Sequence, residues 1–101
     1  MKRPVVKKGI AFGKADEFHL EQYKLSDMIS GRVHFSVIQR AADGMVLGHH
    51  KVTFKRGKGD TLESEGHEGA AAALAKHLNL EPGKRAGVWL KPEGWQMPEY
   101  R

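Results

Sequence analysis

Histidine is the side chain most able to do chemistry here, because the chain contains six histidines and no cysteine. His49 and His50 are adjacent, and adjacent residues of a strand point to opposite faces, so their rings do not converge on one metal ion. His34 and His49 would share a face, but they lack a third ligand. The spacings HExxH, CxxC and GxSxG and the phosphate-loop pattern are absent. The sequence therefore predicts no catalytic residue, no metal site and no cofactor.

Lysine and arginine give a clearer chemical signal, because phosphate groups bind several cations on a common surface. The chain has 17 of these residues against 12 acids, a net charge of +5. The candidate phosphate-binding residues lie on one face of a predicted strand pair, in the turn after it and in a basic amino-terminal arm: Arg32, His34, Arg40, His49, Lys51, Lys55, Lys58, Lys7 and Lys8. Two tryptophans, Trp89 and Trp95, lie near further cations and offer rings on which unpaired bases stack.

Most of these residues are carried by two runs in the stretch 32–55 in which apolar and polar residues alternate. Asp43-Gly44 between the runs predicts a β-hairpin, because glycine tolerates the positive φ of a tight turn. A two-residue turn pairs Val37 with His50, and a four-residue loop keeps the same faces. A three-residue loop would mix the buried and exposed faces, so the sequence argues against it. His50 then becomes a half-buried core histidine.

Residues 16–30 fit two descriptions. Phe18, Leu25 and Ile29 fall on one helical stripe, which favours a helix. Tyr23 also alternates with Leu25, which leaves a strand as the alternative.

The other segments are shorter or more clearly patterned. A helix is predicted over 67–79, because the alanines at 70–73 are strong helix formers and Pro-Gly follows. Residues 5–12 and 86–90 are predicted to form short strands. Residues 56–65 are turn-like and form either a short strand or the first turn of the helix.

Together these elements predict one α+β domain over 1–101. It has a small antiparallel sheet of three to four strands centred on hairpin 32–55, with one or two helices packed on one face. We expect a mobile basic arm, 1–8, and an irregular aromatic tail, 91–101, that packs across the core. The predicted core consists of Val33, Phe35, Val37, Val52, Phe54, Leu74, Leu78 and Val88, with Trp89 or Trp95 at its edge. The strand segments are basic and the helical segments acidic, so two electrically different sides are expected.

The function expected from this layout is that of a non-enzymatic nucleic-acid-binding accessory protein that uses a basic sheet face, with DNA and RNA both open as partners. The alternative is a small protein-binding module, an adaptor or inhibitor of the kind phages and plasmids encode, docking on an acidic protein surface. No apolar run approaches the roughly 18–20 residues of a membrane span. The absence of cysteine and of a signal peptide predicts a cytoplasmic location without membrane partners.

Overall fold

Strands dominate the computed structural model, which describes residues 4–25 and 31–100, with the backbone alone for Leu25 and Tyr100. The strands are β1 (Val5–Val6), β2 (Ala11–Phe12), β3 (Phe18–Leu25), β4 (Val33–Arg40), β5 (Val46–Arg56), β6 (Thr61–Gly66), β7 (Glu81–Pro82), β8 (Val88–Leu90) and β9 (Glu99–Tyr100). Seven of them form one antiparallel sheet in the order β2-β3-β4-β5-β6-β8-β7. The remaining two, β1 and β9, pair in parallel.

One α-helix, α1 (Glu68–His77), packs against this sheet within the described residues. It buries Ala70, Ala71, Leu74 and Ala75, and these mostly small side chains allow close approach to the strands. The helix contacts β2 near one edge of the sheet and β5 and β6 towards the other. The sheet therefore curls around α1 as a half-barrel. We call the face that packs on α1 the inner face and the opposite face the outer face.

The body of the predicted hairpin is confirmed, with Val37 opposite His50 in the β4–β5 pair. The predicted turn is wrong. The Ala41 amide donates to the Met45 carbonyl at 2.8 Å, and the Gly44 amide donates to the Ala41 carbonyl at 2.8 Å. These bonds close a three-residue loop in which Gly44 has a φ of 88°, the left-handed conformation that this type of hairpin requires.

A β-bulge explains how an odd loop coexists with the predicted faces. Arg40 pairs with Val46 next to the loop, whereas Gln39 pairs with Gly48. Leu47 is the additional residue, and it shifts the register of β5 by one position. From Gly48 onwards the side chains of β5 again alternate as the sequence predicts, because the bulge at Leu47 compensates for the odd number of loop residues.

The helix favoured over 16–30 is also wrong where the structure describes it. Residues 18–25 form β3, preceded by a short 3-10 turn at Lys14–Asp16, and residues 26–30 lie outside the described part of the chain. A second bulge, between Leu20 and Gln22, interrupts the pairing with β4. It places Tyr23, three residues after Leu20, on the same inner face, and that spacing resembles a helical stripe.

The sheet is larger than the three to four strands predicted. Residues 61–66, left open between a strand and a helical turn, form β6, and the strand predicted over 86–90 is confirmed as β8. The two edge strands, β2 and β7, contain two residues each. Runs that short hold too few residues for a period of two to be recognised.

The core lies between the inner face and α1, and every predicted core residue except one is buried. Val88 is the exception, because it lies on the outer face and is half-buried. Its neighbour Trp89 packs against the core, as does Trp95 in the tail. Val6 of β1 is completely buried as well, so the β1–β9 pair closes part of the core.

Candidate nucleic-acid interface

The outer face carries four of the predicted phosphate-binding residues, His34, His49, Lys51 and Lys55. The β4–β5 pairing sets His34 opposite Thr53, Ser36 opposite Lys51 and Ile38 opposite His49. These residues alternate with the buried positions, so their side chains leave the sheet on the side away from α1.

At the centre of this face is an open depression of about 360 Å³, which we call the central depression. The residues that line it are Gln22, Lys24, His34, Phe35, Ser36 and Lys51. None of them is acidic. The pairing of β3 with β4 sets Lys24 opposite His34 and Gln22 opposite Ser36, so three adjacent strands contribute to the depression.

The hydrogen-bonding groups of the central depression suit an anion. His34 Nδ1 and Thr53 Oγ1 share a hydrogen bond of 2.8 Å, which holds the ring and leaves Nε2 available. Lys24 and Lys51 make no ion pair with any described residue. Ammonium, amide and hydroxyl groups all donate hydrogen bonds, and a phosphate group accepts them at each oxygen.

Acids border the central depression on both sides, which corrects the expectation of two electrically different sides. Glu21 of β3 lies 3.4 Å from the ring of His49, and Glu65 of β6 lies 2.7 Å from Lys55 Nζ. The hydrogen bond and charge of Lys55 lower the pKa of Glu65, with a smaller contribution from Arg32. Glu65 belongs to the segment left open between a short strand and the first turn of the helix, and it therefore lies on the same sheet face as the bases.

The other predicted residues are spread around the molecule. Arg40 donates from Nη1 to the Gly44 carbonyl at 3.0 Å, at the tip of the hairpin. Lys58 lies in the β5–β6 turn. Lys7 and Lys8 lie in the connection between β1 and β2, at the β2 edge of the sheet. The structure brings none of these four into the central depression.

Lys24, Gln22 and Ser36 are polar residues of the depression that were not predicted as site residues. Lys24 and Gln22 belong to β3, where the sequence favoured a helix, so their place beside Lys51 was not expected. The sequence feature that could have indicated a strand is the alternation after residue 22, which places Tyr23 on the inner face and Lys24 on the outer face. The bulge between Leu20 and Gln22 shifts this alternation by one position relative to the preceding residues.

A second polar cluster lies where β4 and β5 meet the start of α1. Gln39 donates from Nε2 to Glu17 Oε1 at 2.6 Å, so its Oε1 accepts from His50 Nε2 at 2.8 Å. The His50 ring stacks on His67 with centroids 4.1 Å apart. His67 Nδ1 in turn accepts from the Ala70 amide at 3.1 Å and caps α1. Within residues 4–25 and 31–100, no three His, Asp or Glu side chains are grouped to hold a metal ion.

The tip of the hairpin exposes apolar side chains. Met45, Val46 and Leu47 are consecutive and are 63%, 43% and 58% exposed. The Met45 amide donates to Asp43 Oδ1 at 2.9 Å, which helps to fix the loop. A run of exposed apolar residues is unusual on a small domain and is typical of contact surfaces.

Comparisons of the chain with protein-family models, with curated proteins and with solved structures find no match. In the part of the chain that the structure describes, no helix is long and apolar enough to cross a membrane. The function is therefore inferred from the charges and hydrogen bonds of the outer face.

Proposed function

We propose that this protein binds nucleic acid through the outer face, with phosphate groups held in the central depression. The observation that carries the proposal is the meeting of Lys24, His34 and Lys51 around one depression that no acid lines among the described residues. Lysine ammonium groups neutralise phosphates, and the neighbouring Gln22 and Ser36 add neutral donors.

A polyanion fits this surface better than an isolated phosphate ion. The net charge of +5 raises the local concentration of any polyanion. Further cations continue from the depression along the sheet: Arg32 and Lys55. Lys55 is paired with Glu65 at 2.7 Å, so we assign it a smaller share of the binding than Lys51.

Charge reversal in the depression tests the proposal. The variant Lys24→Glu/Lys51→Glu replaces two attractive contacts with repulsive ones, and we expect it to bind more than about tenfold more weakly at low salt. Fluorescence anisotropy with labelled single- and double-stranded DNA and RNA measures the affinity, and circular dichroism checks the fold.

The matched control is Lys14→Glu/Lys76→Glu, which has the same net charge but alters exposed lysines of the 3-10 turn and of α1. We expect it to lose much less affinity. Equal losses in the two folded variants would mean that net charge alone drives binding and would reject the assignment to the central depression.

The exposed run Met45 to Leu47 favours a second candidate function, the protein-binding module. Apolar side chains at a hairpin tip can fill a pocket of a partner, and Arg40 beside them suits an acidic rim. Absence of nucleic-acid binding by the wild-type protein at low salt would favour this second function.

A further inference from the structure

A second depression on the outer face lies at the far end of the sheet, next to β8, and we call it the β8 depression. Its volume is about 290 Å³. Three cations surround it: Lys58 from the β5–β6 turn, and Lys84 and Arg85 from the loop before β8. None of the three makes an ion pair or a side-chain hydrogen bond with another described residue.

Hydrogen bonds to backbone carbonyl groups fix the two turns that carry these cations. Thr61 Oγ1 donates to the Lys58 carbonyl at 2.6 Å, and the Lys91 amide donates to the Asp60 carbonyl at 2.8 Å. On the other side, the Gly83 amide donates to the Val88 carbonyl at 2.8 Å. These bonds hold the β5–β6 turn and the loop before β8 in fixed positions relative to each other.

The floor of the β8 depression is apolar. Val88 and Leu90 point to the outer face, because their neighbour Trp89 packs inward against the core. Leu90 is 41% exposed, one of the few large apolar side chains so exposed within the described residues. An apolar floor beneath several cations matches a ligand that joins an anionic group to an apolar group.

The charge balance selects the anionic group. Glu63 is the one acid among the described lining residues, against three cations, so these residues together carry a net charge of two positive units. A phosphate monoester carries close to two negative charges at neutral pH, whereas a carboxylate or a phosphodiester carries one. We propose that the β8 depression binds a phosphate monoester that carries an apolar chain or ring, with the chain on Leu90 and the phosphate between Lys58, Lys84 and Arg85.

This site is independent of the proposed nucleic-acid interface. Glu65 lies between the two depressions on the outer face, and Glu63 lines the β8 depression on the side towards Glu65. Acids in these positions oppose a continuous phosphate track. None of the residues that the structure describes lines both the central and the β8 depressions.

Alkyl phosphates of increasing chain length are the direct probes. We expect methyl, propyl and hexyl phosphate to cause saturable amide chemical-shift changes at residues 58–61 and 84–90. Affinity should rise about two- to fourfold per methylene group, as expected for partial to full burial on the apolar floor. Heptanoate, which carries the same hexyl chain but one charge, should bind at least about fivefold more weakly than hexyl phosphate. Affinity that does not change with chain length, or equal affinity for heptanoate, would overturn the proposal.

Variants separate this site from general surface charge. Lys84→Glu/Arg85→Glu should weaken hexyl phosphate binding by at least about tenfold, because it removes two of the three cations. The control Lys14→Glu/Lys76→Glu has the same net charge and should leave that affinity nearly unchanged. The nucleic-acid variant Lys24→Glu/Lys51→Glu should also retain hexyl phosphate binding. A similar loss in all three folded variants, or shifts spread over the surface without saturation, would show that the β8 depression is not a site.

Discussion

At the scale of single residues, the histidine pair His50 and His67 joins the hairpin to the helix. The half-buried position predicted for His50 opposite Val37 is confirmed. The role of His67 could not be predicted, because a histidine is not among the residues that usually cap a helix. Its ring can do so because Nδ1 lies 3.1 Å from the Ala70 amide.

Replacing His67 tests the cap. His67→Ala removes the acceptor for the Ala70 amide, and we expect it to lower the free energy of unfolding by about 1 kcal/mol. His67→Asn supplies a side-chain oxygen at the same position and should recover most of that loss. Urea denaturation followed by circular dichroism measures both variants, and an Asn variant no more stable than the Ala variant would contradict the capping role.

The same pair predicts how stability depends on pH. Burial lowers the pKa of His50 below 6.5, and repulsion from His67 and His49 lowers it further. Between that lowered pKa and 6.5 the unfolded chain binds more protons than the folded one, so the contribution of His50 to stability falls as pH decreases through this window. Urea denaturation between pH 7.5 and 5 should show the loss in the wild-type protein and a smaller loss in His50→Gln. The same pH dependence in both proteins would contradict this account.

At the scale of elements, the regions of β4 and β5 without β-bulges were predicted correctly from the sequence, and the regions with β-bulges were not. The alternation in β4 and in the later part of β5 is uninterrupted, and both the strands and their pairing followed from it. In β3 a bulge at Glu21 split the alternation, and near the hairpin loop another at Leu47 compensated for an odd loop. A bulge is defined by its pairing with the partner strand, so it leaves little trace in the sequence of its own strand. Because β3 was not predicted as a strand, Lys24 was not predicted as a site residue.

The junction between β6 and α1 gives an element-scale prediction. Gly66 has a φ of 112°, and a Cβ atom added there would clash with the Lys51 carbonyl oxygen of β5. Gly59 also has a positive φ, 61°, but a Cβ there would meet no atom within 4 Å. We expect Gly59→Ala to cost about 1–2 kcal/mol from backbone strain alone. Gly66→Ala should cost about 2–5 kcal/mol, since strain and overpacking add.

Thermal and urea unfolding of the two glycine variants measures the difference. Equal destabilisation would mean that β5 moves away from the junction without cost. That result would contradict the close packing of β5 and β6 against the start of α1.

At the scale of the whole molecule, the fold class and the position of α1 followed from the sequence, but the charge layout did not. Segment composition predicted basic strands opposite acidic helices. The structure instead interleaves Lys55 with Glu63 and Glu65 on one face, because the segment 61–66 is a strand. A candidate site on a sheet depends on which strands are neighbours, and the order of seven strands cannot be deduced from the composition of each.

The most direct test of the proposed function is the salt dependence of nucleic-acid binding. The logarithm of the wild-type binding constant should fall linearly with the logarithm of salt concentration. Lys24→Glu/Lys51→Glu, if it removes two phosphate contacts, should reduce the magnitude of that slope by about 1.4 for single strands or about 1.8 for duplex DNA. The slope of Lys14→Glu/Lys76→Glu should stay close to the wild-type value. An unchanged slope in the folded Lys24→Glu/Lys51→Glu variant, or no binding by the wild-type protein at low salt, would contradict phosphate binding in the central depression.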